Sequence, residues 1–195
     1  MFSHQPNPPQ WVLEGDIKGC FDNISHEWLV DNVQIDKQIL KKWLKCGAVF
    51  NKLLSPTTAG TPQGGIISPT LANATLDGME KMLLKKYRER YVNGKRYRPK
   101  VHLVRYADDF VVSADTRELL EQVKEDLKNF LAVRGLELSE EKTLITHITE
   151  GFDFLGYNIR RYKKNILIKP AKKSVKRFVE KTHEVIFGNK TAKQG

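Results

Sequence analysis

Cysteine is nearly missing: Cys20 and Cys46 are the only two among 195 residues. That is too few for a disulfide framework or a structural zinc site, and the five histidines show no ligand spacing beside them. A reducing, cytoplasmic setting is therefore expected. No apolar run approaches the roughly 18 residues that cross a bilayer, so no membrane partner is expected. The lead MFSHQPNPPQ lacks the basic start and apolar centre of a secretory signal. Neither an internal repeat nor a low-complexity tract is present. An apolar fraction of 40% and a charged fraction of 29% fit a globular chain with one sizeable core.

Acidic residues are scarce at one end. Residues 160–195 carry 12 Lys/Arg against 2 Asp/Glu, whereas residues 1–159 carry 21 of each sign. The whole net charge of +10 thus resides in the last stretch. A second basic cluster, residues 81–100, has 9 Lys/Arg against one Glu, with Tyr87, Tyr91 and Tyr97 interleaved. Basic residues mixed with aromatics suit a nucleic-acid backbone and stacked bases, although charge runs are often only solvated faces.

Hydrophobic periodicity and punctuation give the elements. WVLEGD (11–16) reads as a short strand ending in aspartate. Helices are expected over 25–33, with Ser25 at the N-cap, and over 36–47, with Asp36 at the N-cap and Gly47 as the stop. AVFNKLL reads as one strand and residues 55–65 as a loop. A long helix is expected over 68–91, with Ser68 at the N-cap and Pro69 in first position. Next come two strands around Asp108–Asp109, an amphipathic helix over 116–135 and two short strands flanking SEEKT. Residues 152–170 read as a hairpin turning near 163–165. A basic amphipathic helix from Ala171 follows. The order is that of an α+β fold: a ferredoxin-like βαββαβ antiparallel sheet with helices on one face, plus a β-hairpin and a basic helix. In that arrangement the first strand lies beside the Asp108–Asp109 hairpin.

Two adjacent aspartates inside the apolar run VHLVRYADDFVVSA are costly unless something cancels their charge. An ordinary hairpin tip is the common explanation for such a pair. The alternative is a divalent cation, which takes hard oxygen ligands. It needs a third carboxylate, and Asp16, at the end of the first strand, supplies one. Asp16, Asp108 and Asp109 at one edge can hold two Mg²⁺ ions, or Mn²⁺ in their place, with help from a triphosphate.

LEGDIKGCFDNISH, GTPQGGIISPTLAN, RYADDFVV, GLELSEEKTLITH and FDFLGYNIRR occur in this order. They resemble the consecutive palm motifs of reverse transcriptases, most closely the group II intron-encoded, maturase-type branch. The resemblance covers residues 11–170. It implies a Pro-rich lead (1–10), a polymerase palm (11–151), a primer-grip-like hairpin (152–170) and the start of a thumb (171–195). It makes Asp16, Asp108 and Asp109 the catalytic metal ligands, with the Ile17 carbonyl near the second metal. Backbone N–H groups of Ile17, Lys18, Gly19 and Cys20 would cradle the triphosphate, and the Phe21 ring would exclude a ribose 2′-hydroxyl. Gln63 and Gly64 would border the nucleotide, and Lys142 would protonate the leaving pyrophosphate. Phe154, Leu155, Gly156 and Tyr157 would grip the primer end. Lys172, Lys173, Lys176 and Arg177 would follow the template–primer backbone.

The implied partners are an RNA template, a DNA primer, deoxynucleoside triphosphates and intron RNA. The family places a basic fingers region before the first palm aspartate. Here only 15 residues precede Asp16, without one Lys or Arg. An incomplete polymerase is therefore expected, complemented by a fingers segment or by homo-oligomerisation. The competing function is a non-polymerising RNA-binding remnant that assists splicing. A nucleotide cyclase palm gives PQGGIISP and FLGY no role.

Overall fold

The computed structural model describes residues 8–46, 59–61 and 65–188, together with the backbone of 48–50 and 53–55. The chain runs through β1 (Trp11–Gly15), α1 (Cys20–Asn23), α2 (His26–Asn32) and α3 (Lys37–Lys45). Two sequence-predicted caps hold the starts of helices. The Ser25 hydroxyl accepts the Trp28 N–H at 3.2 Å, and Asp36 Oδ1 accepts those of Gln38 and Ile39 at 2.9 and 3.0 Å. Gly47 lies outside the described residues. The segment expected as one strand is a hairpin of β2 (Ala48–Phe50) and β3 (Leu53–Ser55).

The long helix expected over 68–91 is two helices and the first strand of a hairpin. α4 (Ser68–Leu76) begins at Ser68 itself, with Ile67 as N-cap and no side-chain cap bond. Gly78, at φ +87°, separates it from α5 (Met79–Lys86). β4 (Arg90–Val92) then pairs with β5 (Lys95–Tyr97) across Asn93–Gly94, both at positive φ. Asn-Gly is a strong signal for such a two-residue turn.

β6 (His102–Tyr106) and β7 (Asp109–Ala114) form the next hairpin, followed by α6 (Arg117–Ala132) and β8 (Leu144–His147). Of the two strands expected around SEEKT, the first reduces to an isolated bridge between Ile17 and Leu138. β9 (Phe152–Phe154), β10 (Tyr157–Tyr162) and β11 (Asn165–Pro170) make a separate three-stranded sheet, and α7 (Lys172–Gly188) ends the described chain. The expected 163–165 turn joins β10 to β11; β9 is an addition.

The main sheet has the order β6-β7-β1-β8, with every neighbouring pair antiparallel. The first strand does lie beside the Asp108–Asp109 hairpin. Alternation assigns the two faces. Leu13, Phe110, Val112 and Ala114 pack with Leu120, Val123 and Leu127 of α6 and with α4 and α5. Val12 and Val111 point the other way and form a smaller core with Ile148 and Phe152. Burying each large side chain stabilises the fold by about 1.5–3 kcal/mol, so the two cores pin the strand register. α7 contains no buried residue. No helix among the described residues is long and apolar enough to cross a membrane.

Candidate active site at the sheet edge

β1 and β7 pair from Trp11–Ala114 to Gly15–Phe110. One more step of that register sets Asp16 opposite Asp109. By alternation both occupy the face away from the helices, with Glu14 two residues behind Asp16. Asp108 occupies the two-residue turn with Ala107, because Tyr106 pairs with Asp109. The turn frees Asp108 alone, since Asp109 already belongs to β7.

Ala107 takes φ +55°, an uncommon conformation for alanine. Arg105 fixes it: the guanidinium donates to the Ala107 carbonyl at 2.7 Å and to Asn73 Oδ1 of α4 at 2.9 Å. On the opposite face Phe110 lies over Gly15, where any Cβ would come within 2.1 Å of the ring. A larger residue beside Asp16 would have to displace the buried Phe110 ring. Neither support carries a motif signature.

The electrostatics join all three aspartates. Burial raises the Asp109 carboxyl above its ordinary value; the Asp108 and Asp16 charges add to this, and Lys142 opposes it. The Cys20 thiol is pushed up to about 11, by burial first and then by Asp108, with Arg105 opposing and Asp16 adding. Lys142 Nζ lies 3.1 Å from Asp16 Oδ2. Among the described residues no three His, Cys, Asp or Glu side chains stand ready-grouped around one metal position. The donor set, three carboxylates that repel one another at an open edge, is still that of a hard divalent cation.

The segment after Asp16 bridges to the loop before Lys142. The Ser139 N–H donates to the Asp16 carbonyl and the Lys18 N–H to the Glu137 carbonyl, both at 2.9 Å. The Ile17 carbonyl takes no part in that bridge. The Lys18 N–H is committed, which removes it from the expected triphosphate cradle. Gly19 turns at φ +54° into α1, which periodicity could not have found in four residues. Phe21 is half-buried: it packs on the main core and also lines a cleft of about 650 Å³ with Asp16, Asp108 and Lys142. The loop at Gly60 docks here, its N–H on the Ile24 carbonyl at 2.9 Å and its carbonyl 2.6 Å from His26 Nε2. Gln63 and Gly64 lie outside the described residues.

A second cleft of about 760 Å³ opens on the other side of Asp16. It contains Asp109 and Lys142, then Phe154, Leu155 and Gly156, then Lys173 and Arg177 of α7. The two clefts share Asp16, Glu141 and Lys142. Leu155 and Gly156, at φ +50° and +82°, turn β9 into β10, and the Ala171 N–H donates to the Gly156 carbonyl at 2.9 Å. That bond seats the start of α7 against the turn. Tyr157 is exposed and lies outside the cleft lining, as do Lys172 and Lys176; Lys176 pairs with Glu180 at 3.8 Å. Glu14 was missed by sequence reasoning. Its carboxylate accepts the Asp153 N–H at 3.2 Å, tying the Asp16 strand to the β9 segment.

The family model of reverse transcriptase (RNA-dependent DNA polymerase) matches residues 2–159. The group II intron-encoded protein LtrA of Lactococcus lactis subsp. cremoris is 34% identical over an alignment that covers 91% of this chain and 39% of LtrA. Protein YkfC of Escherichia coli K12 is 32% identical, over 78% of this chain and 47% of YkfC. The chain thus spans less than half the length of these relatives. A telomerase structure from Candida tropicalis superposes with a TM-score of 0.60 at 15% identity, over 86% of this chain and 33% of that one, a likeness of fold. With a family match that runs through β1, both arms of the aspartate hairpin and the β9–β10 turn, the chain belongs to the reverse transcriptase (RNA-dependent DNA polymerase) family.

Proposed function

We propose that this chain is the palm of an RNA-directed DNA polymerase that adds deoxynucleotides to a primer 3′-hydroxyl. The observation that carries the reading is the register of β1 on β7. It sets Asp16 and Asp109 opposite each other on the open face, with Asp108 in the adjoining turn. The strand order, with β1 between the hairpin and β8, supports a ferredoxin-like palm over residues 11–151. Asp16, Asp108 and Asp109, with the Ile17 carbonyl, would hold two Mg²⁺ ions. Such ions, when bound, neutralise the carboxylates, activate the attacking hydroxyl and stabilise the leaving pyrophosphate.

The chain's own residues account for the rest. The triphosphate enters the cleft beside Gly19, Cys20 and Phe21, and the Phe21 ring closes the space a 2′-hydroxyl would need. Lys142 shares a 3.1 Å contact with Asp16 and lines both clefts, which suits a proton donor to pyrophosphate. The primer end lies along the second cleft, against Phe154–Gly156, with its backbone toward Lys173 and Arg177. The template is RNA, and intron RNA is the natural one for a maturase-type relative. The test is primer extension on an RNA template by the chain with a fingers segment from a related enzyme joined before Trp11. Asp108→Ala should abolish it while melting as the wild type does. Near wild-type extension by that variant would remove the site assignment. RNA binding without any extension by the wild type would favour the splicing-remnant reading.

A further inference from the structure

The basic cluster at 81–100 lies away from the catalytic edge. β6 runs from His102 to Tyr106, and Tyr106 adjoins the aspartate turn, so the β4–β5 hairpin before Val101 sits toward the opposite end. Five residues of strand separate the ends by about 16 Å. Most of the acids of this region are already answered. Glu89 pairs with Arg96 and Arg98 at 2.5 and 2.9 Å, Asp126 with Lys86 at 2.5 Å, and Asp115 with Lys100 at 2.6 Å. Arg88, Arg90 and Lys95 have no carboxylate partner among the described residues, and all three are exposed. The surface is concave as well as charged. Clefts of about 680 and 340 Å³ meet at Tyr87, Arg88, Tyr97 and Pro99. Tyr91 stands 76% exposed on the hairpin, and the Arg90 guanidinium lies 5.7 Å from the Tyr97 ring centre. A merely solvated face needs neither the cleft nor the aromatic rings.

We propose that this surface binds a single-stranded polynucleotide outside the polymerase cleft, its phosphates on Arg88, Arg90 and Lys95 and a base on Tyr91. Unpartnered cations track a backbone, and exposed rings stack bases in any sequence. The proposal stands independently of the polymerase reading, since no residue of the aspartate edge takes part.

The test uses oligonucleotides of about 16 nucleotides, one RNA and one DNA of the same sequence, with affinity followed between about 50 and 200 mM salt. The triple variant Arg88→Gln, Arg90→Gln, Lys95→Gln should lose affinity at least 10-fold and flatten the logarithmic salt slope by about 2, near 0.7 per phosphate contact. Tyr91→Ala should cost about 10-fold at unchanged slope. Neither should alter the rate of extension of a saturating short template–primer, whereas Asp108→Ala should do the reverse. A difference between the RNA and DNA arms tells which polynucleotide the surface takes. Photocrosslinking of 4-thiouridine RNA to the unaltered chain should map to residues 87–98. An unchanged slope in a triple variant that melts normally, or crosslinks confined to α7, would overturn the proposal. So would loss of binding to vesicles of anionic lipid but not to either oligonucleotide.

Discussion

Asp109 concentrates the electrostatic strain of the aspartate edge on one carboxyl. Its pKa lies above the ordinary value through burial, then through Asp108 and Asp16. Ionising such a group costs the folded state more than the unfolded one. The penalty is absent below the unfolded carboxylate value, near pH 4, and complete above the folded one. Asp109→Asn should therefore raise the melting temperature at about pH 7 without divalent cations. The expected rise is small, about 1–2 °C, because the side chain is largely exposed and solvent screens it. At about pH 3, where both side chains are neutral, the two proteins should melt together. Excess Mg²⁺ should reverse the order by stabilising the wild type through binding. Melts in which Asp109→Asn lowers stability at every pH would mean that the carboxylate is structurally paired. The three aspartates were legible from sequence because like charges in an apolar run demand an explanation. Arg105 on Ala107, Phe110 over Gly15 and Glu14 on Asp153 were not, because each is a contact made only by the finished fold.

Elements with strong local signals were read correctly, and their failures have local causes. Ser25 and Asp36 announce helix starts because their side-chain oxygens satisfy N–H groups that no helical carbonyl can reach. The stretch after Ser68 misled because Lys and Arg occupy the exposed side of a helix and of a hairpin alike. Gly78 costs a helix only about 1 kcal/mol, so it did not demand a break. Asn93–Gly94 was the decisive turn signal, overridden by the basic periodicity before it. The β9–β10 turn shows the opposite case. Leu155 occupies φ +50° and is 47% exposed, so a branched side chain sits where Asn or Gly would be easier. Strain at this turn supports the proposed primer-end role of residues 154–156. Leu155→Asn should stabilise the chain by up to about 1 kcal/mol in urea unfolding while weakening primer-end binding. A loss of stability would show that Leu155 is held by packing, with no strain to relieve.

At the scale of the whole molecule, charge and shape divide the work. The sheet's helical face is closed by the main core, so Asp16 and Asp109 face away from the helices, toward the side where two clefts meet. The +10 net charge falls on residues 160–195, the stretch that includes most of the β10–β11 hairpin and all of α7, with the β4–β5 hairpin as a second basic surface. The sequence exposed the charge imbalance directly. The clefts were not legible, because they depend on how the β9–β11 sheet and α7 stand against β1. The central claim is that Asp16, Asp108 and Asp109 make one divalent-cation site. Iron-mediated cleavage tests it most directly: Fe²⁺ replaces Mg²⁺, and ascorbate with peroxide generates hydroxyl radicals at the bound ion. The cuts should cluster around residues 15–18, 106–110 and 139–142, be competed away by Mg²⁺ and disappear in Asp108→Asn. Cleavage elsewhere, or an unchanged pattern in that variant, would contradict the account.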